Sequence, residues 1–397
     1  MAVAQIVGLF LKDVFLIVLV ISSISNLRPK EFDDTKPIFL VSGLAAIWLI
    51  PSLFTLNAPV ILSAIRNYII YPLSFLPAYQ FALNSQSKFF SSKNSKFIIF
   101  LVLWLNIIFA TIEILNIYQS PYLELIGKRG DFRVGDFDVS SGGFISYIEL
   151  SYFLSISVLG IEVTAPRRYI IGSPFSWLSV LACLLVSFYS QARTGVLTCL
   201  LAIFTRLYYL KSRIGKALIF ILFLLSAMLL WYYIINLDVI VRFSNILEDP
   251  RFIFLTSNFL QEFISKPFFG HGLGSFGASA TVIFRAQEQF ATSDSYYVDS
   301  TLLSLLLQTG IVGSSIYCYL IFNTCYHVLT RIKLAYGGKY MGLLLTFIII
   351  SILYSAFFPF IDGWPGAIYF FGILGFAAGL FRRWKTDPSH EETEVSC

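Results

Sequence analysis

The chain has 397 residues, of which 57% are hydrophobic and 13% charged, with a mean hydropathy of +0.77 and a formal net charge of +5. Soluble domains are about 45–50% apolar and about 25% charged, so too little polar surface remains here to cover a water-soluble globule of this length. The composition excludes an ordinary soluble domain. The small positive excess does not mark a nucleic-acid binder, because no basic domain stands apart from the apolar stretches.

Apolar runs of the length a lipid-spanning helix needs recur along the whole chain. In order they fall near 5–24, 38–56, 59–83, 97–118, 143–162, 174–192, 194–210, 217–236, 299–326, 341–360 and 365–381. They predict an all-α integral membrane protein, a polytopic bundle of about 11 transmembrane helices (10–12). The membrane domain covers 1–385 and includes an external loop at 237–298; residues 386–397 read as a disordered cytoplasmic tail. The first run does not read as a cleavable signal peptide, because it lacks a basic leader and carries Lys12 and Asp13 inside it.

Basic residues recur in alternate loops: Lys88/Lys93/Lys96, Arg167/Arg168, Lys211/Arg213/Lys216, Arg331/Lys333/Lys339 and Arg382/Arg383/Lys385. Short loops rich in Lys and Arg stay cytoplasmic. This orients the C-terminus inward, and the N-terminus and the loops 119–142 and 237–298 outward. Cys183, Cys199, Cys318, Cys325 and Cys397 form no C-x-x-C, and the first four lie in apolar runs as small packing residues. His271, His327 and His390 are too scattered for a helical metal motif. No metal and no cofactor is expected.

The stretch KPFFGHGLGSFG, 266–277, fits G-x-G-x-x-G through Gly272, Gly274 and Gly277. A dinucleotide-binding turn needs a strand before the glycines and a helix after them. Here a helical stripe of Phe252, Leu255, Phe259, Leu260 and Phe263 precedes them and closes at Pro267, within an external loop. Two readings follow. The segment is a flexible turn after an amphipathic helix on the membrane surface, or Gly270, Gly272 and Gly274 let backbone N–H groups approach an anionic or sugar ligand.

Charged groups gather at the same outer face. Arg193 stands at a tight joint in SQARTG, Arg251 just before the amphipathic stripe, His271 in the glycine loop and Asp299 at the opening of the next span. Arg66 is placed a turn or two inside the third span, where a charge needs a polar cavity, an anion or a carboxylate partner such as Glu113 or Glu149. Arginines suit pyrophosphate, because the planar guanidinium donates paired hydrogen bonds and stays charged. With a carboxylate or histidine base, such a set runs glycosyl transfer from a lipid pyrophosphate donor: the base takes the acceptor proton and the arginines neutralise the leaving phosphate.

Three motifs then resemble the bacterial O-antigen ligase/polymerase superfamily, which includes the Wzy-type polysaccharide polymerases, over roughly 170–320. They are S-Q-A-R-T-G at 190–195, the segment from Arg251 to K-P-F-F-G-H-G-L-G, and D-S-T-L-L-S-L-L-L-Q-T-G-I-V-G at 299–313. The resemblance implies a GT-C-like membrane glycosyltransferase that uses undecaprenyl-pyrophosphate-linked oligosaccharide at the outer face of the bacterial inner membrane. Its motif arginines are Arg193 and Arg251. Asp299 stands where ligases of the family usually have histidine, which leaves Asp299 or His271 as the base.

The expected activity is polymerisation of an O-antigen, capsule or exopolysaccharide: a growing glycan passes from its carrier to the next lipid-linked repeat. Asp299, His271, Arg251 and Arg193 are the expected catalytic residues. Arg66, Arg285, Gly270, Gly272 and Gly274 are expected to contact substrate. A chain-length regulator and membrane lipid are the expected partners. Two alternatives stand beside this: a ligase that passes finished glycan to a lipid or protein acceptor, and a glycolipid flippase whose path is lined by Arg66, Glu113 and Glu149.

Overall fold

The computed structural model describes residues 2–56, 58–84, 101–108, 110–111, 147–164, 174–189, 193–208, 221, 259–276, 300–357 and 366–386; among these there is helix and turn and no strand. Helices α1 (Ala2–Ser25) and α2 (Pro29–Leu49) are joined by a short turn. Pro29 sits at the first helical position, where its missing N–H has no intrahelical partner to lose. The Glu31 carboxylate accepts the Arg28 amide at 3.1 Å and closes the turn.

A single turn, Ser52–Thr55, leads into α3 (Ala58–Ile65), a π-helical segment Arg66–Ile70, a 3-10 turn Pro72–Ser74 and α4 (Phe75–Asn84). Pro72 accounts for the irregular middle. It offers no N–H to the Tyr68 carbonyl, and the ladder re-forms one residue longer, with the Tyr71 amide donating to the Arg66 carbonyl at 2.9 Å. Ser42 of α2 donates to the Ile69 carbonyl of this disturbed turn at 3.4 Å.

The remaining helices are α5 (Tyr147–Thr164), α6 (Pro174–Tyr189), α7 (Arg193–Tyr208), the short α8 (Leu260–Ser265), α9 (Thr301–Tyr336), α10 (Gly338–Phe357) and α11 (Gly366–Thr386). Among the described residues, four stretches are long and apolar enough to cross a bilayer: Pro29–Thr55, Val60–Asn84, Thr301–Tyr336 and Gly338–Ala356. The chain is an integral membrane protein. Helix is found in every stretch read as a span except 217–236, which lies outside the described residues save for position 221; of 97–118 only the part from 101 to 111 is described. The span expected to begin at 38 starts at Pro29, because Lys30, Glu31, Asp33 and Asp34 form its first turns, where hydropathy gives no signal.

Small residues let the helices approach. Gly375 and Gly379 of α11 lie against α4, where a Cβ would stand 2.2 Å from the Phe75 carbonyl oxygen and 2.4 Å from that of Tyr79. Hydroxyls join α5, α7 and α10: Ser151 to Tyr354 at 2.7 Å, Tyr152 to Ser351 at 3.0 Å, Ser155 to Thr198 at 2.9 Å and Thr205 to Thr346 at 2.8 Å. Lipid is as apolar as the side chains it surrounds, so close packing and such hydrogen bonds carry helix association.

The two ends of the bundle differ. At one end buried Asp34 of α2 pairs with Arg331 of α9 and Arg382 of α11, and accepts from the Tyr79 hydroxyl of α4 at 3.1 Å. Lys333, Lys339, Arg383 and Lys385 follow in the same terminal turns. Trp48, the Ser52–Thr55 turn, the glycine loop and Ser300 lie at the other end, where the Ser300 hydroxyl donates to the Ser355 carbonyl near the end of α10. The basic residues of α9 and α11 thus gather opposite the glycine loop, as the alternating charge of the loops predicts.

Candidate functional site

The site is built around a break in α9. At Gly310 the backbone leaves the helix, with φ 65° and ψ −172°. In an unbroken helix the amides of Ile311 and Val312 would donate to the carbonyls of Leu307 and Gln308. They donate instead to the carbonyls of Pro267 and Phe268 in the glycine loop, at 2.9 and 3.2 Å. The orphaned carbonyls of Leu307 and Gln308 accept from His271 and Gly272 of that loop, at 3.0 and 2.8 Å. The loop and the broken helix exchange partners one for one, so these two carbonyls and two amides keep partners despite the irregular backbone.

Glycine is required where the two backbones touch. Gly270 and Gly310 both have positive φ, and a Cβ on Gly270 would stand 2.4 Å from the Gln308 carbonyl carbon. A Cβ on Gly310 would stand 2.3 Å from the Phe268 carbonyl oxygen. The loop's donors are taken up by the protein. The Gly270 amide donates to Lys266, that of Leu273 to Trp48, and that of Gly274 to the Gln308 side-chain oxygen at 2.6 Å. The amides of Gly270, Gly272 and Gly274 are the ones expected to approach a ligand. All three already have protein acceptors, and the glycines serve close backbone approach.

Side chains fix the loop further. The Trp48 indole N–H donates to the carbonyls of Phe269 and Thr309, at 3.1 and 2.9 Å. The Gln308 amide nitrogen donates to the Tyr68 hydroxyl at 2.8 Å and to Ser304. Trp48, Tyr68, Leu273, Leu305 and Tyr317 line a narrow apolar cleft between α2, the π-helical segment and α9.

His271 faces α8. Its Nε2 lies 3.0 Å from the Glu262 carbonyl oxygen, 3.2 Å from Ser265 Oγ and 3.5 Å from Glu262 Oε2. Its ring meets Phe276 edge to face at 5.3 Å between centroids. The side chain is 18% exposed and that of Glu262 37%. Below it, Phe259 and Phe263 stack at 6.0 Å and pack with Phe276 against Leu307. These two rings belong to the expected apolar stripe. Leu260 of the same stripe is exposed instead, and Phe252 and Leu255 lie outside the described residues.

The other expected residues divide. Arg193 is the first residue of α7. Thr198, five positions on, contacts Tyr354 near the end of α10, so α7 starts at the glycine-loop end of the bundle. Ser300 caps α9 through the Leu303 amide, two helical turns or about 10 Å along the axis from Leu307. Arg251, Arg285 and Asp299 lie outside the described residues. Arg66 turns away from the loop: its guanidinium lies 3.6 Å from Asp13 of α1, donates to Asn67 at 3.2 Å and to Ser63 at 3.4 Å, and sits over the Tyr71 ring. Among the described residues its carboxylate partner is Asp13; the expected Glu113 and the side chain of Glu149 lie outside them.

Sequence reasoning missed Gln308, Tyr68, Trp48 and Glu262. A glutamine and a glycine inside the apolar run LLLQTGIVG were the visible signal of a break; nothing in the sequence points to Trp48.

No curated protein matches the chain. Residues 178–318 match the family model described as O-antigen ligase. The matched stretch runs from inside α6 through α7, α8 and the glycine loop to beyond the break in α9. It covers all three motifs that carry the resemblance to the O-antigen ligase/polymerase superfamily, and about a third of the chain.

Proposed function

We propose that the protein is a membrane glycosyltransferase of the ligase/polymerase type, acting on lipid-linked glycans, and specifically a polysaccharide polymerase. A growing glycan leaves undecaprenyl pyrophosphate for a hydroxyl of the next lipid-linked repeat at the outer face of the inner membrane. Arg193 and Arg251 hold the pyrophosphate and neutralise the charge that develops as the bond to the sugar breaks. Asp299 or His271 accepts the proton of the attacking hydroxyl, through an oxocarbenium-like state of the kind glycosidases pass through. Arg285 contacts the donor or glycan, and Gly270, Gly272 and Gly274 shape the sugar site by holding the loop against α9. Arg66 is left out of the site, because its guanidinium is engaged with Asp13.

The observation that carries this reading is the family match over 178–318, the stretch that contains Arg193, Arg251, His271, Arg285 and Asp299. The loop tied into α9, which holds His271 within a few turns of the opening of that helix, supports it. Arg251→Ala is expected to abolish chain growth while the protein stays in the membrane at its normal level. Full-length polymer from a normally expressed Arg251→Ala strain removes the assignment. Polymer of normal length stranded on the carrier lipid in a deletion strain points to a ligase instead.

A further inference from the structure

The hydrogen bonds around His271 distinguish its two ring nitrogens. A carbonyl oxygen only accepts, so the 3.0 Å contact between Nε2 and the Glu262 carbonyl requires that Nε2 carry a proton. Ser265 is consistent with this: its hydroxyl donates to the same carbonyl at 2.7 Å, leaving its oxygen to accept from Nε2 at 3.2 Å. The Glu262 carboxylate adds a second acceptor at 3.5 Å. The neutral ring therefore holds its proton on Nε2 and keeps a lone pair on Nδ1. The peptide N–H of His271 is fixed on Leu307 and the ring rests on Phe276, so Nδ1 is held in a set direction.

This arrangement is not a nucleophile relay. A relay needs the serine on one ring nitrogen and the carboxylate on the other. Here both lie on Nε2, which makes Glu262 and Ser265 positioning residues and leaves Ser265 without a nucleophilic role. Resting on the transferase reading above, we infer that His271 is the general base of the transfer and works through Nδ1, with Glu262 and Ser265 fixing its tautomer. Nδ1 takes the proton of the acceptor hydroxyl as that oxygen bonds to the anomeric carbon. The bond from that carbon to the pyrophosphate breaks, and its electron pair leaves on the phosphate oxygen. The proton then passes from Nδ1 to water and the neutral ring is restored.

The chain has only three histidines, so nitrogen-15 histidine labelling is tractable, and His327→Gln and His390→Gln assign the signals. The purified wild-type protein, recorded where the ring is neutral, is expected to show His271 as a single Nε2–H tautomer. A Nδ1–H tautomer overturns the inference whatever the glycans do. Glu262→Ala keeps the main-chain carbonyl, so it is expected to keep the Nε2–H tautomer and to slow transfer by up to about tenfold, the scale of the one carboxylate contact it removes. Glu262→Gln, which keeps a side-chain acceptor, is expected to restore the rate.

His271→Gln supplies a donor at the Nε2 position and nothing at Nδ1. It is expected to reach the membrane normally and lose transfer about 100-fold or more. Full transfer by His271→Gln beside lost transfer in Arg251→Ala overturns the role given to His271 and leaves the transferase standing. Full transfer in both removes the transferase reading itself.

Discussion

Gly310 concentrates the local argument, because one backbone conformation at this residue frees two carbonyls and two amides for the glycine loop. Gly310→Ala puts a side chain into the left-handed region and drives its Cβ onto the Phe268 carbonyl. The expected cost is about 2 kcal/mol or more, read as a lowered melting temperature of the purified protein. An unchanged melting temperature contradicts the exchange. The glycines were visible in the sequence as a turn, and the absence of a strand before them excluded a dinucleotide site. That they face a helix break was not visible, since the partner residues lie some 40 positions away and only the fold joins them. The same holds for Arg66. The need for a partner was legible from its depth in a span, but Asp13 lies on another helix, and only packing brings the two together. A double-mutant cycle of Asp13→Ala and Arg66→Ala is expected to show a coupling of about 1 kcal/mol or more. Additive effects contradict the pair.

At the scale of elements, apolar length located most helices, and glycine, proline and charge decided how they end and meet. Residues Gly375 and Gly379 of α11 lie four apart and let that helix touch the α4 backbone. Gly375→Leu is expected to force the two helices apart and to lower the yield of folded protein on extraction, whereas the same change at Gly372, with no atom near its added Cβ, is expected to be mild. Equal yields from both contradict the packing. The spacing of Gly375 and Gly379 is legible in the sequence, but not which helix they face. The length of α9 was also misread. Its apolar run suggested one span from 299 to 326, but the helix reaches Tyr336 and is interrupted at Gly310, because the loop supplies the hydrogen bonds that the break removes.

For the whole molecule, the basic ends of α9 and α11 gather around Asp34, opposite the glycine loop, and the segment that matches the O-antigen ligase model contains that loop and the start of α7. Composition alone identified the solvent as lipid, and the basic loops anticipated that the described basic residues of α9 and α11 gather at one end. The motif order gave the family resemblance over nearly the interval that the family model matches. The geometry around His271 was not legible, because it rests on contacts between α8, the loop and α9. The most direct measurement is a gel of surface and lipid-linked glycans from a deletion strain complemented with the wild-type protein, Arg251→Ala or Asp299→Ala. A ladder restored by the wild type and collapsed to a single repeat in Arg251→Ala is the predicted result. Glycans unchanged by the deletion, or a full ladder from Arg251→Ala at normal expression, would contradict the account.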